Sequence, residues 1–511
     1  MNIKYLTSKI LILSLILFIG ISCDDKLDEP LEQEFLEEDI DYTNTQEMFD
    51  VLKGAYGHFY WWQWESFPLI GVRGDDVNAA GDQFPLTETD EYRYDPNFWI
   101  YNSVWLNFYG DIFNFNAAIN EITKYQEFTD NPAQADQYIA EIQVMKGYEL
   151  LQLIRLWGDI FVPETPLATE LYELGLSTPD EALQYISNLM DEAVPHLPMV
   201  HPNERTDIPG GITRYTALAV KALANLDLKD WQAVADATSE IISSNTFSLE
   251  PDYYNLFKTY GKLNNENILE FQYSDYGEGS GEMNYYLHAF FGPQGWSPAV
   301  EGVSGGWGFW EPTLKYIKFM IDRGEQLRLE TTVLFTNAGI AEIQDDPDYA
   351  TIPDWISNVT RDGDTINDYA RASFASGKHY LPSNEFTPGR TRYGTNKNFI
   401  AIRYSEILLA HAEALVMGAT STSISADNAV NRVRQRAGLG TVEGVTLDDV
   451  LDEKFAELAM EWGIRFYDLT RHDRTGELDY AGRTYSSPED RYIPYPLTQQ
   501  DLLPQLRDET K

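Results

Sequence analysis

Apolar positions repeat at helical spacing in six segments of the chain. In the first of them, Ile139, Ile142 and Met145 begin a series of apolar residues three positions apart, which gives the helix one apolar face. The six predicted helices are residues 137–157, 216–228, 231–243, 399–417, 426–437 and 447–462. Short turns join neighbouring helices, and alanine is frequent where two helices would pack closely. This pattern predicts degenerate tetratricopeptide-like helix pairs.

The segments between these helices have a different composition. Residues 251–311 are crowded with glycine and aromatic residues, whereas residues 335–398 are rich in aspartate, glycine, proline and threonine. Helical periodicity is sparse in both, which predicts long ordered loops and a few short strands. Long loops in a compact protein are usually functional. Because the helical blocks on both sides look alike, we predict one mostly α-helical domain over residues 41–511.

The N-terminus has the pattern of an export signal. Lys4 and Lys9 precede an apolar run at residues 10–19, and a short segment with glycine and serine then leads to Cys23. The run is about half of the ~20 residues that a transmembrane helix needs. The sequence therefore predicts a signal peptide at residues 1–22.

The position of Cys23, the single cysteine of the chain, favours lipid attachment directly after the signal peptide. In the alternative, a general signal peptidase cuts here and Cys23 is incidental. Bacterial lipoprotein signals usually carry leucine three residues before the cysteine, where this chain has Gly20. The following residues are strongly acidic, so we predict a solvated tether at residues 23–40. With no second thiol, the core rather than disulfides must stabilise the fold.

The whole chain is acidic, with 37 basic and 81 acidic residues and a formal net charge of −44. Such a surface repels phosphate, which argues against nucleic acid as a partner. It also argues against acidic polymers as the main ligand. A neutral ligand therefore fits the charge better than an anionic one.

One catalytic motif has a match in the chain. Residues 302–306 read Gly-Val-Ser-Gly-Gly and fit G-x-S-x-G, the nucleophile motif of α/β-hydrolases. The motif requires a strand before it and a helix after it, whereas this segment is glycine-rich and runs into Trp307. We therefore predict a glycine loop and no enzyme; the alternative is a surface hydrolase that uses Ser304 or a carboxylate pair.

No cofactor or metal site is predicted. The seven histidines are scattered, and H-E-x-x-H does not occur. Asp362, Asp364, Asn367 and Asp368 are spaced somewhat like a calcium loop, but the glycine and the terminal glutamate of that loop are missing. A solvated acidic loop is the prediction, and a structural calcium ion is the alternative.

Aromatic residues make up 14% of the chain, and several tryptophans lie where a core position is unexpected. Exposed flat rings are costly unless something covers them, and the C–H face of a sugar packs on such a ring. Sugar hydroxyls then need polar partners, which the loop at residues 73–78 supplies. The alternative is that these tryptophans fix loops to the scaffold. The candidate sugar contacts are Trp61, Trp62, Trp64, Asp75, Asp76, Asn78, Trp296, Trp307 and Trp310.

Several sequence blocks, which together span most of residues 40–505, are specific in combination. They include Arg155-Leu156-Trp157-Gly158-Asp159, Asn265-Glu266-Asn267-Ile268-Leu269-Glu270, Arg403-Tyr404-Ser405-Glu406-Ile407-Leu408-Leu409, Glu461-Trp462-Gly463-Ile464-Arg465-Phe466-Tyr467-Asp468-Leu469 and Tyr492-Ile493-Pro494-Tyr495-Pro496. In this order the blocks resemble the SusD/RagB family of outer-membrane nutrient-binding lipoproteins of Bacteroidetes.

The resemblance implies a helical scaffold with tetratricopeptide-like pairs, held at the cell surface by a lipid on Cys23. It also implies a non-enzymatic protein that caps a SusC-type TonB-dependent transporter and captures glycans for import. Residues 155–159 and 461–469 would be scaffold, and ligand contacts would lie in the loops. Trp61, Trp62 and Trp64 match no family motif, which makes them the better candidates for substrate-specific contacts.

The predicted function is therefore capture of a neutral oligosaccharide or polysaccharide for delivery to the transporter, with β-glucan as a guess at its identity. The alternative is a subunit for transporter assembly with little affinity of its own for glycans. In that case the aromatic side chains would face the partner protein.

Overall fold

The computed structural model of the protein describes residues 40–60, 71–275, 277, 287–389 and 396–507. The predicted signal peptide, Cys23 and all but the last residue of the predicted tether lie outside these ranges. The described chain is mostly α-helical, as predicted, and its strands are short and occur in pairs.

The N-terminal half is a run of helices in which each member from α3 to α6 packs against the next. These helices are α1 (Thr45–Tyr60), α2 (Phe84–Asp90), α3 (Trp99–Phe128), α4 (Pro132–Trp157), α5 (Pro179–Ala193), α6 (Arg214–Leu228) and α7 (Trp231–Ser244). Neighbouring helices that pack in chain order confirm the predicted helix pairs. Their inward faces form one large apolar core, in which Trp105 and Trp157 are completely enclosed.

The middle of the chain holds the shorter helices, and the C-terminal part returns to the helical scaffold. The remaining helices are α8 (Tyr253–Leu256), α9 (Leu287–Phe291), α10 (Leu314–Asp322), α11 (Leu327–Thr332), α12 (Asn337–Gln344), α13 (Tyr404–Val416), α14 (Ala426–Arg436), α15 (Leu447–Leu458), α16 (Ile464–Arg471) and α17 (Leu497–Leu502). Helix α13 packs against α7 and so continues the helical run across about 160 intervening residues. No helix of the described ranges is both long and apolar enough to cross a bilayer.

Within the described ranges, four antiparallel strand pairs connect distant parts of the chain. The strands are β1 (Val77–Ala79), β2 (Asn267–Phe271), β3 (Trp296–Ser297), β4 (Trp310–Pro312), β5 (Val333–Phe335), β6 (Thr365–Ile366), β7 (Phe374–Ser376) and β8 (Phe399–Arg403). The pairs are β1 with β4, β2 with β8, β3 with β6, and β5 with β7. The predicted short strands are confirmed by β2, β3, β4, β5, β6 and β7, which lie within or at the edge of the two loop-rich segments, whereas β1 and β8 lie outside them.

The predicted helix at 399–417 is wrong in its first five residues. Residues 399–403 form β8, which pairs with β2, and the helix begins only at Tyr404. All five strand residues are buried. A short apolar run that is buried on both faces looks the same in a strand and in a buried helix, so periodicity could not separate them.

The predicted helix at 447–462 also ends earlier, at Leu458. Its last carbonyl groups are bound by buried cations instead of continuing the helix. The Lys378 ammonium donates to the carbonyl oxygens of Glu457 at 3.0 Å and Ala459 at 2.8 Å, and Arg403 donates to that of Glu457 at 2.8 Å. Residues that are distant in sequence therefore fix this helix end.

A buried carboxyl without a partner lies inside α4. Glu149 is 0% exposed, and neither of its side-chain oxygens has a hydrogen-bond partner in the described structure. Burial raises the pKa of Glu149 well above its ordinary value, and the nearby Asp111 carboxylate raises this pKa further. The folded protein therefore holds this carboxyl protonated at pH values where the unfolded chain ionises it.

Replacing Glu149 with glutamine is expected to raise the free energy of unfolding at pH 7 by about 1–3 kcal/mol, because the ionised group is stabilised only in the unfolded chain. Because the pKa of Glu149 is raised in the folded state, Glu149 costs the unaltered protein no stability below the unfolded pKa near 4.5. This loss of stability grows as the pH rises toward the folded pKa. Urea unfolding of both proteins between pH 4 and pH 8 measures this difference.

The matched control is Glu127→Gln at the exposed end of α3. It should change stability little at any pH, since that carboxyl is solvated. A Glu149→Gln effect of equal size at pH 4 and pH 7 would show that packing, rather than ionisation, is responsible.

Candidate functional site

One short buried helix supports the three tryptophans predicted in the 251–311 segment. In α9, His288 contacts Trp296 with ring centres 5.3 Å apart. Phe290 meets Trp307 edge-on at 4.9 Å, and Phe291 stacks on Trp310 at 4.9 Å. The structure therefore brings these predicted residues together, although their exposure differs.

Trp307 is half-buried and is fixed through its backbone as well as its ring. Its N–H donates to the carbonyl of Ala289 at 2.5 Å, and its own carbonyl accepts from Arg371 at 2.7 Å. The same Arg371 guanidinium donates to the Asp82 carboxylate at 2.6 Å. Arg371 thus joins the loop that follows β1 to the segment that carries Trp307.

Glycine at position 306 allows this close packing. A Cβ atom there would lie 2.3 Å from the carbonyl oxygen of His288 and 2.5 Å from that of Gly292, which leaves no room for a side chain. At Gly308, φ is +62° and a Cβ would meet the Tyr369 ring at 2.7 Å. The glycine-rich run is therefore a structural requirement of the Trp307 segment, as the predicted glycine loop implies.

Trp296 is the second half-buried ring. It begins β3, where it pairs with Ile366 of β6, and its ring lies among the side chains of His288, Tyr380 and Phe386. These rings hold the indole in one orientation. Because the contacts come from α9 and the 380–386 segment, the exposed part of Trp296 is a rigid feature of the surface.

Polar groups surround the two tryptophans. Asn367 is exposed and donates from its side-chain amide to the Ser297 hydroxyl at 2.8 Å, while its backbone N–H binds the Gly295 carbonyl at 3.0 Å. Asp82 is largely exposed beside Arg371. Phe84, the first residue of α2, is 64% exposed. We call this surface the aromatic loop face, formed by Asp82, Phe84, Trp296, Trp307, Asn367 and Arg371.

Glu311 lies beneath the aromatic loop face and organises its edge. Its carboxylate accepts backbone N–H groups of Ser373 at 2.8 Å and Phe374 at 3.0 Å. Burial raises the pKa of Glu311 to about 7, although these hydrogen bonds lower it. The Glu311 carboxyl therefore anchors the strand that follows Arg371 and takes no place among the exposed polar groups.

The prediction that Trp310 contacts a sugar does not fit the structure. Its side chain is 0% exposed and packs against Phe290, Phe291 and Phe309. Residue 310 is in register with Ala79 in the β1–β4 pair, which directs its ring into the core. The structure therefore makes Trp310 part of the scaffold.

The predicted contacts at Asp75 and Asp76 are corrected for the same reason, since both side chains are buried. The Asp75 carboxylate binds Arg465 at 2.8 Å and Lys315 at 2.6 Å. The Asp76 carboxylate accepts the Met460 N–H at 2.7 Å, and burial raises the pKa of Asp76 to about 6. Both carboxyls fasten the 73–76 turn to the C-terminal helices.

The other predicted polar contact, Asn78, lies half-buried in β1 opposite Glu311. Its side-chain oxygen accepts from Arg483 at 3.2 Å. Asn78 therefore stays a prediction, at the border of the aromatic loop face. Trp61, Trp62 and Trp64 lie outside the described residues, and their sugar contacts also stay predictions.

Two further predicted motifs are Ser304 and the acidic loop that contains Asp364. Ser304 lies in an irregular segment between residues 303 and 309, without the strand and helix of a nucleophile elbow, and His288 approaches its carbonyl at 3.2 Å. Asp364 is buried and accepts the backbone N–H groups of Ala299 at 2.7 Å and Ser383 at 2.9 Å. In the described ranges, no three His, Cys, Asp or Glu side chains converge on a metal-sized site.

The chain has clear relatives. A sequence profile of the SusD family matches residues 265–501. A SusD-like protein of Bacteroides ovatus is 20% identical over 483 residues, which cover 91% of this chain and 82% of that protein. The profile match includes Trp296, Trp307, Asn367 and Arg371 of the aromatic loop face.

Solved structures share the whole architecture. Surface glycan-binding protein A from Bacteroides thetaiotaomicron in complex with laminarihexaose superimposes with a TM-score of 0.73 at 22% identity, covering 91% of this chain and 98% of that chain. A laminarin binding SusD-like protein gives a TM-score of 0.74 at 20% identity, covering 90% of this chain and 98% of that chain. The fold is that of the SusD-like proteins. The resemblance to the SusD/RagB family, predicted from the sequence blocks, is confirmed by the profile match over residues 265–501 and by the SusD-like relative.

Proposed function

We propose that this protein binds a neutral oligosaccharide or polysaccharide on the aromatic loop face. The observation that carries the proposal is the pair of half-buried rings, Trp296 and Trp307, held by one buried helix beside exposed amide and carboxylate groups. Concave or flat aromatic surfaces with a few placed polar groups suit ligands that combine apolar C–H faces with hydroxyls. No catalytic step is part of the proposal.

The first ligands to test are laminarihexaose and laminarin. Two solved structures with this fold are named for these glycans, and a β-glucan is also the class guessed from the sequence. Since identity to those proteins is 22% and 20%, they support the choice of ligand without fixing it. The net charge of −44 favours neutral over anionic glycans at this face.

We further propose that the chain acts at the outer surface of the cell. The export signal, Cys23 and the acidic tether support a lipid anchor, and the family supports delivery of the captured glycan to a SusC-type TonB-dependent transporter. Replacing Cys23 with serine and then fractionating cells tests the anchor, since the variant should leave the membrane fraction. Co-purification with the transporter from the same cells tests the partnership.

The Trp307→Ala variant is expected to bind laminarihexaose about tenfold more weakly, because an aromatic contact contributes roughly 0.5–1.5 kcal/mol beyond the area it buries. Calorimetry on protein that lacks residues 1–23 measures the affinity. Trp307→Phe should retain most of the binding, since it keeps a flat ring on the same support. Phe84→Ala should also weaken binding, because that exposed ring is part of the aromatic loop face. It should leave stability almost unchanged, because the ring makes little contribution to the core.

The control is Tyr172→Ala, which removes a ring that is 58% exposed. Residue 172 lies beside the C-terminal residue Gln505, whose side-chain amide donates to the Tyr172 carbonyl. It should bind the glycan like the unaltered protein. If Trp307→Ala and Phe84→Ala both bind normally, the aromatic loop face is not the binding site. Absence of binding to every neutral glycan in a panel would instead favour the transporter-assembly role.

A further inference from the structure

A second cleft lies where the ends of several helices meet, away from the aromatic loop face. Its volume is about 550 Å³, within the range of about 300–1,000 Å³ that is common for small-molecule sites. Five parts of the chain line it: the ends of α4 and α6, the beginning of α5, helix α16, and residues 491–492. We call it the helix-end cleft; its charged lining residues are Arg155, Asp180, Asp227, Lys229 and Arg491. It shares no residue with the aromatic loop face.

The helix-end cleft is locally positive in a strongly acidic protein. Three of its charged residues are cations and two are anions, whereas the whole chain carries −44. One anion, Asp227, is already neutralised, because it accepts from Arg155 at 2.9 Å and from Arg471 at 3.1 Å. Burial opposes ionisation of Asp227, yet these two guanidinium groups hold its pKa below the ordinary value. Asp180 is the remaining anion and is exposed.

Three cationic groups have donors left for a ligand. Within the described structure, Lys229 forms no ion pair. Arg491 binds the Tyr492 hydroxyl and acts electrostatically on Asp227 without an ion pair to it, and the hydrogen bond that the Arg155 side chain donates comes from Nε. The side chain of Arg155 is only 11% exposed. A buried guanidinium with unused donors favours an anionic oxygen ligand, because such charge-assisted hydrogen bonds are stronger than neutral ones.

Aromatic rings hold two of these guanidinium groups in place. Arg155 lies over the Tyr467 ring at 4.8 Å, and Arg491 lies over the Tyr492 ring at 5.4 Å. Tyr492 in turn packs on Gly158, where a Cβ atom would approach the ring to 2.9 Å. The two guanidinium groups are therefore oriented before a ligand arrives, and the rings and Leu183 give the cleft an apolar wall as well.

We infer that the helix-end cleft binds an anionic monosaccharide, with its carboxylate or sulfate group held by Arg155, Lys229 and Arg491. The cleft is too large for a bare ion. Its cations would bind the charged group of an anionic sugar, and its apolar wall would contact the C–H face of the ring. The two anionic groups share the same oxygen chemistry, so the probes distinguish them. The inference is independent of the proposed function, because a neutral glycan would bind elsewhere.

Binding of glucuronate, glucose 6-sulfate, glucose and inorganic sulfate to protein lacking residues 1–23, measured by ligand-observed NMR at low ionic strength, tests the inference. At least one anionic sugar should bind, and glucose should not compete with it. In the Arg491→Gln, Lys229→Asn double variant the affinity should fall about tenfold, because two charge-assisted contacts are lost. Asparagine suits position 229, which has φ of +60°. Asp180→Asn should strengthen binding, since it removes a repelling charge.

The matched control is the Arg474→Gln, Lys53→Asn double variant, which removes two exposed cations elsewhere. It should leave the affinity for the anionic sugar unchanged, which excludes a general effect of net charge. The inference is overturned if glucose competes equally, if inorganic sulfate competes as strongly as the sugars, or if the Arg491→Gln, Lys229→Asn protein binds like the unaltered one. Laminarihexaose binding by the same variants reports separately on the proposed function.

Discussion

Replacing Arg403 with methionine is expected to lower the free energy of unfolding by about 3–5 kcal/mol, which is the cost of removing one member of a buried ion-pair network. Arg403 is 1% exposed at the end of β8. Its guanidinium binds Glu266 at 2.9 Å, Glu461 at 2.8 Å, and Glu457. Without it, three buried carboxylates lose a shared cation.

Other cations of the network will not fully replace Arg403. Arg436 also contacts Glu266, at 3.0 Å, and Lys378 contacts Glu461 at 2.7 Å. These groups already have defined partners, and moving them would leave other carboxylates unpaired. The unfolding free energy of Arg403→Lys should lie between those of Arg403→Met and the unaltered protein. A single ammonium keeps the charge but cannot bridge the carboxylates as a planar guanidinium does.

Urea unfolding followed by circular dichroism measures the Arg403 effect, with Arg474→Met as the control. Arg474 pairs with Asp448 at the surface, where both side chains are about half or more exposed, so its loss should cost about 0–1 kcal/mol. Equal stability of the Arg403→Met protein and the unaltered protein would show that the carboxylates are neutralised in another way.

The sequence predicted the regular helices well because their signal is local. Predicted helices 216–228, 231–243 and 426–437 agree with α6, α7 and α14 to within two residues at each end. The 30-residue helix α3 was not predicted, although its buried side chains recur at three- and four-residue intervals. Many of those side chains are aromatic, and aromatic residues have only moderate helix propensity, so the segment gives a weaker helical signal than the helices rich in alanine and leucine.

The site was less predictable because exposure depends on contacts between distant segments. Trp296, Trp307 and Trp310 all follow glycine-rich stretches, yet only Trp310 is enclosed, through a strand pair with residues 77–79. Phe84 and Arg371 were missed entirely. Phe84 follows a Gly-Asp-Gln loop and precedes proline, which is a usable signal for an exposed turn, but no local pattern marks Arg371 as the link between two loops.

Replacing Asp75 with asparagine is expected to lower the free energy of unfolding by about 2–3 kcal/mol, because Arg465 and Lys315 lose the buried carboxylate they share. Burial raises the pKa of Asp75, but Arg465 and Lys315 outweigh it and hold the pKa below the ordinary value of 3.8. A lowered folded pKa stabilises the protein above that ordinary value, and the stabilisation is lost as the pH falls through the folded pKa. The difference in unfolding free energy between the unaltered protein and Asp75→Asn should therefore be largest at pH 5–8 and decrease below about pH 4.

The same variant decides between the two roles considered for Asp75. If this carboxyl is scaffold, as its burial indicates, the folded Asp75→Asn protein should bind laminarihexaose with unchanged affinity while melting earlier. Asp82→Asn is the matched comparison, since Asp82 is exposed on the aromatic loop face beside Arg371. It should cost about 0–1 kcal/mol in stability, yet weaken glycan binding. Normal melting with lost binding in Asp75→Asn would restore the direct sugar contact, because a buried ion pair whose removal has no effect on stability is not holding the turn.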